Sequence, residues 1–194
     1  MPIPSKERPT VILGAGVLGW RIAAVFLAGG YRVHIRDPSK DALADAESFI
    51  HTQLSSFSAI IPQKTAPGSL QTFTDIAPAV QNAWLVVEAV PEKLELKQTT
   101  FAEVTASAPG GCILASNSSS FKSRLMVEGL EKGWRERTLN MHFTMPPAIR
   151  TVELMTDGET GEELFECLSA VLRESGLVPV TARKESTGYD SFAL

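Results

Sequence analysis

The stretch Thr10-Val11-Ile12-Leu13-Gly14-Ala15-Gly16-Val17-Leu18-Gly19 decides how the rest of the chain is read. Its first four residues are β-branched or aliphatic and run straight into glycine, the pattern of a short buried strand. From Val17 to Ala28 the spacing changes. Leu18, Ile22, Val25 and Phe26 recur at three- and four-residue intervals, which predicts a helix that Gly29-Gly30 stops. The glycines between strand and helix follow G-x-G-x-x-G. Glycine-rich turns are common, but one that leaves a strand and opens a helix carries a mechanism. Gly14 permits the tight turn, Gly16 lets the backbone approach a pyrophosphate, and Gly19 lets helix and strand pack closely. The helix N-terminus then presents unpaired N–H groups to the anion. The loop residues expected against a bound dinucleotide are Gly14, Gly16, Val17, Leu18 and Gly19.

Working outward, Tyr31 to Arg36 alternates and is rich in β-branched residues, so it reads as a second strand, closed by Asp37-Pro38-Ser39. A dinucleotide site needs an acid at the end of that strand to bind the ribose hydroxyls. Asp37 lies 18 residues past Gly19, at that place. Its charge repels a 2′-phosphate, so NAD is favoured over NADP, with the adjacent Arg36 acting in the opposite sense. The plainer reading makes Asp37-Pro38-Ser39 a turn in which Ser39 caps the next helix.

That helix runs through Ala42, Phe49 and Leu54 to about Ile60, and a loop from Pro62 to Ser69 leads to a weak strand at Leu70–Phe73. Trp84 to Val90 is a strong apolar strand broken by Pro91. A helix from Glu92 to Ala108 follows, with acid in its first turn as the helix dipole favours. Cys112 to Ala115 is a further strand, then come Ser116-Asn117-Ser118-Ser119-Ser120 and a helix from about Lys122 to Leu130. Thr138–Phe143, Val152–Met155 and Val178–Thr181 read as strands, with a helix at Glu162–Ser175 that Gly176 ends. Strands apolar on both faces, alternating with helices, call for a mostly parallel sheet covered on both sides. The expected fold class is α/β: a doubly wound, mostly parallel sheet of the Rossmann type. It is expected to span residues 1–189 as one dinucleotide-binding domain, with 190–194 a short tail.

Composition narrows the function. The 194 residues carry 18 basic and 22 acidic side chains, a net charge of -4. Neutralising a polyanion needs clustered basic residues in surplus, so nucleic acid is excluded as the main partner. Two cysteines, Cys112 and Cys167, are too few for a disulfide framework or a zinc site and read as buried free thiols; no metal site is expected. No run approaches ~18 apolar residues, and the first nine lack the apolar core of a secretion signal. No membrane partner and a cytoplasmic location are expected.

Several later segments resemble the NAD-binding domain of the 3-hydroxyacyl-CoA dehydrogenase family. They are Val87-Glu88-Ala89-Val90-Pro91-Glu92-Lys93-Leu94-Glu95-Leu96-Lys97, then Ser116-Asn117-Ser118-Ser119-Ser120, then Met141-His142-Phe143 through Val152-Glu153. With the glycine loop, the similarity spans roughly residues 9 to 189, and the ordered set is far more specific than the loop alone. The resemblance implies an NAD-dependent oxidoreductase of fatty acid metabolism that interconverts 3-hydroxyacyl-CoA and 3-oxoacyl-CoA. It implies that Glu92 and Lys97 lie beside the cofactor and that Ser119 contacts both substrate and nicotinamide. It also makes His142 the catalytic base and Glu153 its acidic partner.

The chemistry agrees. Oxidising a secondary alcohol needs a base for the hydroxyl proton while hydride leaves for the nicotinamide, and histidine titrates near neutral pH. A carboxylate such as Glu153 can fix the tautomer and stabilise the imidazolium, and Ser119 can donate a hydrogen bond to the substrate oxygen. Each residue also has a plainer reading: His142 as a structural histidine, Glu153 facing water, Ser119 capping a helix, Glu92 and Lys97 as solvated helix charges. His34 and His51 fit none of the motifs and read as structural.

Departures from the family pattern shape the substrate question. Met145 stands where the family carries asparagine, and the His142-to-Glu153 segment is one residue shorter than usual. A one-residue change reverses a strand's facing unless the Pro146-Pro147 turn absorbs it. The helix after Asp37 is poor in the lysines that hold coenzyme A, with Lys40 and Lys64 only at its flanks. A short tail at 190–194 is expected in place of the family's helical domain, which closes the cleft and forms the dimer, and Phe192 stands near an expected asparagine. Two alternatives therefore stand beside the CoA ester. One is a dehydrogenase of another 3-hydroxy acid, such as a sugar acid or carnitine. The other is a non-catalytic nucleotide-binding module, prone to self-association through an uncovered apolar face, as a homodimer or otherwise.

Overall fold

The computed structural model describes residues 6–182. Strands β1 (Thr10–Leu13), β2 (Val33–Arg36), β3 (Leu70–Phe73), β4 (Leu85–Glu88), β5 (Ile113–Ser116), β6 (Thr138–Met145), β7 (Ile149–Thr156) and β8 (Val178–Ala182) form one sheet. Its order is β3-β2-β1-β4-β5-β6-β7-β8. The first six run parallel, β7 returns antiparallel to β6, and β8 lies parallel to β7. This is the doubly wound, mostly parallel sheet read from the sequence. The chain reverses its direction of travel across the sheet between β1 and β4, and open α/β sheets bind their ligands outside the carboxyl ends of the strands at such a point.

Helices α1 (Val17–Ala28), α2 (Lys40–Ser58), α3 (Ile76–Val80), α4 (Leu94–Thr105), α5 (Ser123–Val127), α6 (Lys132–Arg135) and α7 (Glu162–Glu174) cover the two faces. Alternation along each strand assigns its side chains to one face or the other. Ile12, Ile35, Val87 and Met141 join α1, α2 and α7 in one core. Val11, Leu13, Val86 and Leu114 join α3, α4 and α5 in the second. Each such fully buried aliphatic side chain contributes roughly 1.5–3 kcal/mol. That is why short strands can be apolar on both faces. Cys112 and Cys167 are free and buried in this interior; burial pushes the Cys112 thiol up to about 12 and raises Cys167 as well.

Two short helices escape sequence periodicity. α3 has five residues, with Pro78 in its first turn, where a missing N–H is tolerated. The helix expected from about Lys122 to Leu130 is only Ser123–Val127, and the chain turns at Gly129 before starting α6. Elsewhere the boundaries shift by one to three residues, as where the helix expected from Glu92 to Ala108 is Leu94–Thr105. The largest difference is in β6 and β7, which extend to Met145 and begin at Ile149, making a longer hairpin than the apolar runs indicate. The tail expected at 190–194, with Phe192, lies outside the described residues.

Candidate active site

The glycine loop is shaped by backbone contacts. Gly14 sits at φ +107°, and a Cβ there would lie 2.5 Å from the carbonyl oxygen of Ala89. A Cβ at Gly19 would lie 1.9 Å from the carbonyl oxygen of Gly14, so the turn and α1 close on each other only through glycine. Gly16 differs. A Cβ there meets nothing within 4 Å, and Gly16 and Val17 are exposed while Leu18 is half-buried. Packing does not demand glycine at that position; close approach of an anion does. Gly16 is also the N-cap of α1, with no side chain bonded to the helix end and no acid in the first turn. The N-terminal N–H groups and the helix dipole therefore face the cleft without a competing carboxylate.

Asp37 closes the loop from the other side. Its Oδ2 accepts from the Ala15 N–H at 2.9 Å and its Oδ1 from the Ser39 N–H at 2.9 Å. Both readings of this turn hold together, because Ser39 Oγ also accepts from the Ala42 N–H at 3.2 Å as the cap of α2. Arg36 turns away, its Nε donating to the carbonyl of Thr74 at 3.0 Å. The loop, the uncapped helix end and the acid at the β2 terminus fit NAD, with a carboxylate where a 2′-phosphate would be repelled.

Across the switch point, β4 and β5 end in polar residues level with Asn140 of β6. Glu88, Ser116 and Asn140 are lateral neighbours in the registers of β4, β5 and β6, and all three are fully buried. Lys97 reaches into this row from α4. Its Nζ lies 2.8 Å from Glu88 Oε1, 3.0 Å from Glu92 Oε2 and 3.3 Å from the carbonyl of Val90. Lys97 is only 1 % exposed, so its three donors are taken up inside the wall of the cleft. Ser116 Oγ donates to Glu88 Oε2 at 2.5 Å, and Ser118 Oγ donates to Glu92 Oε1. Burial on its own raises the Glu92 carboxyl. The bonds from Ser118 and Lys97 and the Lys97 charge outweigh it, holding Glu92 below its ordinary value.

The serine loop hangs from this network. Asn140 Oδ1 accepts from the Ser123 N–H at 2.7 Å, and its Nδ2 donates to the carbonyls of Ser118 and Phe121. Ser118 Oγ accepts from the Phe121 N–H at 2.9 Å, so the capping serine of this turn is Ser118. Ser119 is half-buried, and its hydroxyl has no hydrogen bond among the described residues. Asn117 Oδ1 accepts from the Phe143 N–H at 2.8 Å, fastening the loop to β6 next to His142.

His142 and Glu153 face each other directly across the β6–β7 ladder. Nδ1 of His142 lies 2.8 Å from Glu153 Oε2, with His142 4 % and Glu153 0 % exposed. Glu153 therefore does not face water. Asn140 and His142 share the face opposite Leu139, Met141 and Phe143, as strand alternation requires. The concern that a short hairpin would misface one partner is answered by a register shift between Phe143 and Met145, just before the Pro146-Pro147 turn. Met145 itself is 36 % exposed.

The structure thus brings Glu92, Ser119 and His142 to the carboxyl edge of the sheet with the glycine loop and Asp37, and sets Lys97 behind that edge. Sequence reasoning passed over Glu88, Ser116, Ser118, Asn117 and Asn140. A signal was there: β4 and β5 are apolar runs that each end in a polar residue. His34, whose Nδ1 lies 2.8 Å from the carbonyl of Ala79, and the exposed His51 stand apart from the site.

Residues 10–186 match the family model described as 3-hydroxyacyl-CoA dehydrogenase, NAD binding domain. The chain belongs to that family. Its relatives include the L-carnitine dehydrogenase of Nocardiopsis dassonvillei, 28% identical over 96% of this chain and 56% of that protein. The mitochondrial hydroxyacyl-coenzyme A dehydrogenase of Rattus norvegicus is 30% identical over 92% of this chain and 59% of its own length. Among solved structures, a 5-formyl-3-hydroxy-2-methylpyridine 4-carboxylic acid 5-dehydrogenase, described as an NAD+-dependent dismutase, superposes with a TM-score of 0.86. It is 26% identical over 96% of this chain and 60% of that one. The 3-hydroxybutyryl-CoA dehydrogenase of Escherichia coli K12 gives a TM-score of 0.77 at 30% identity, over 90% of this chain and 38% of that one. The chain spans about half the length of the relatives it matches. The family is one of NAD-dependent dehydrogenases acting on small molecules, and NAD is the cofactor the loop is built for. Among the described residues no helix is long and apolar enough to cross a membrane.

Proposed function

We propose that this chain carries the cofactor site and the acid–base pair of an NAD-dependent dehydrogenase that interconverts a 3-hydroxyacyl-CoA and a 3-oxoacyl-CoA. The observation that supports this most is the buried His142–Glu153 pair at 2.8 Å, at the carboxyl edge of the sheet that also holds the glycine loop. In the oxidation direction, His142 Nε2 takes the proton of the substrate 3-hydroxyl. Glu153 holds the Nδ1 proton, fixes the tautomer and stabilises the imidazolium that forms. Ser119 donates a hydrogen bond to the substrate oxygen, which stabilises the alkoxide in either direction. NAD+, held by the glycine loop and Asp37, would supply the hydride acceptor for C3. Glu92, fixed by Lys97, Ser118 and the Ser120 N–H, keeps the serine loop at the height where Ser119 can act.

The test is oxidation of NADH with acetoacetyl-CoA. His142→Gln is expected to lower kcat by about 10²–10⁴-fold, with NADH affinity within about twofold of wild type. Equal turnover in the two proteins overturns the role of His142. A wild type that binds NADH and turns nothing over assigns the chain to nucleotide binding alone.

A second reading, a 3-hydroxy acid without coenzyme A, is favoured by the surface of α2. Lys40 is the only lysine or arginine in that helix, whereas Asp41, Asp45 and Glu47 are exposed on it. Such a surface repels phosphates. A substrate panel ranked by kcat/KM separates the two readings. Either reading carries self-association, as a homodimer, through the hairpin and β8, where Met145, Ile149 and Val178 are exposed.

A further inference from the structure

One charged group at the cleft has no counter-charge. Arg21 sits in the second turn of α1, at the same edge of the sheet as the glycine loop and His142. Its guanidinium lies 5.1 Å from the Phe49 ring centroid, and Trp20 stacks on that ring at 5.0 Å and 16°. Nη1 donates to the carbonyl of Pro146 at 3.1 Å, in the turn that joins the strands of His142 and Glu153. Nε is buried without an acceptor, and no carboxylate pairs with the group among the described residues. Nη2 has no hydrogen-bond partner among the described residues and is not a buried atom, so it reaches solvent.

A half-buried guanidinium normally pairs with an acid, because desolvating a lone cation is costly. Here the stack on Phe49 and the bond to Pro146 fix the group's orientation while leaving its charge uncompensated. A fixed planar fork of donors suits a bidentate anionic oxygen group. Its neighbours sharpen the point. The exposed acids of α2 repel anions from that helix, so an anion reaching the β6–β7 turn meets Arg21, whose orientation is fixed, with the exposed Arg150 at the start of β7 as a second cation there. A simple clamp on Pro146 would need no charge.

The geometry points to Arg21 as the residue that binds an anionic group of the substrate, a carboxylate or a phosphate, beside the His142–Glu153 hairpin. This rests on the proposed function for where the substrate lies, and it makes Arg21 a determinant of substrate class. A carboxylate means a free 3-hydroxy acid. A phosphate means the coenzyme A ester.

The test is calorimetric titration of the full chain, loaded with NAD+ so that the 3-oxo probes bind without hydride transfer, by three probes: acetoacetate, acetoacetyl-CoA and S-acetoacetyl-pantetheine. The last carries neither carboxylate nor phosphate. In Arg21→Met, which keeps the aliphatic stack, affinity for one anionic probe is expected to fall about 10-fold or more. Arg21→Lys, which keeps the charge, stays closer to wild type, and the neutral thioester binds all three proteins alike. Loss of acetoacetate assigns the carboxylate, and loss of acetoacetyl-CoA assigns the phosphate. The inference is overturned if Arg21→Met binds both anionic probes as wild type does, or if all three probes weaken together, as a clamp alone would give. It is also overturned if wild type binds neither anionic probe. Turnover is read separately. Arg21-dependent binding in a wild type that performs no hydride transfer removes the catalytic reading and leaves this one standing.

Discussion

Around β1 and β2 the cleft is shaped by main chain, whereas around β4, β5 and β6 it is shaped by buried side chains. On the first side Gly14 and Gly19 bring two backbone segments into contact, and the loop's own N–H groups form the binding surface. On the second side Glu88, Lys97, Ser116 and Asn140 are buried together, and they hold the serine loop by side-chain bonds. The first design is intolerant of added atoms. The second is intolerant of removed charges. Substitutions on the two sides should therefore fail in different ways, and the difference can be measured.

The largest effect is expected at Lys97. Methionine there keeps the bulk but leaves Glu88 charged and unpaired in a fully buried position. Breaking such a pair costs about 3–5 kcal/mol, a fall in Tm of roughly 10 °C for a chain of this size. Adding Glu88→Gln to Lys97→Met removes the stranded charge and should recover part of the loss. Thermal and urea unfolding of the single and double variants decide it. If the double variant is no more stable than Lys97→Met, the pair is not the source of the instability, and the contrast between the two sides weakens.

The glycine side gives an internal control. Gly19→Ala places a Cβ 1.9 Å from a backbone oxygen, so α1 or the loop must move. Overpacking of that kind is expected to destabilise by roughly 3 kcal/mol. Gly16→Ala adds the same atom where nothing lies within 4 Å. It should unfold like wild type yet bind NADH about 10-fold more weakly, because the methyl group stands where the pyrophosphate approaches. Equal loss of stability in the two variants would mean that Gly16 is a packing glycine and that the cofactor reading of the loop is wrong.

The same contrast explains what could be read from the sequence. The glycine loop, Asp37 and the α1 boundaries were legible because main-chain geometry imposes fixed spacings, and β1, α1 and β2 follow one another directly. His142 and Glu153 were legible only as members of an ordered set of motifs, since no spacing rule pairs residues through a hairpin containing a register shift. The network around Lys97 was half legible. Lys97 and Glu92 stood in a recognisable segment, but their partners come from β4 and from the loop after β5, and the register that lines up Glu88, Ser116 and Asn140 exists only in the folded sheet. Short α3 and α6 offer too few residues for a helical period to show. Arg21 was invisible for a related reason. An arginine in a helix reads as solvated until Phe49 and the carbonyl of Pro146 are seen around it.

The smallest expected effect tests whether the second side tunes Glu92 as well as holding it. Ser118 Oγ donates to Glu92 and accepts from the Phe121 and Ser120 N–H groups, so Ser118→Ala removes these bonds at a cost of about 1 kcal/mol. It should also move the carboxyl. In the folded protein Glu92 titrates below its ordinary 4.5, because the bonds from Ser118 and Lys97 overcome the effect of burial. A depressed carboxylate stabilises the fold fully above its unfolded pKa, and that contribution is lost as pH falls through the lower folded value. Without Ser118, burial keeps pulling upward against Lys97 and the Ser120 N–H, so the Glu92 pKa rises and the acid loss begins at a higher pH. Carbon NMR titration of Glu92, with urea unfolding between about pH 3 and 7, reads both effects. A Glu92 pKa unchanged in Ser118→Ala would assign its depression to Lys97 and the Ser120 N–H. The two sides would then differ only in how they pack.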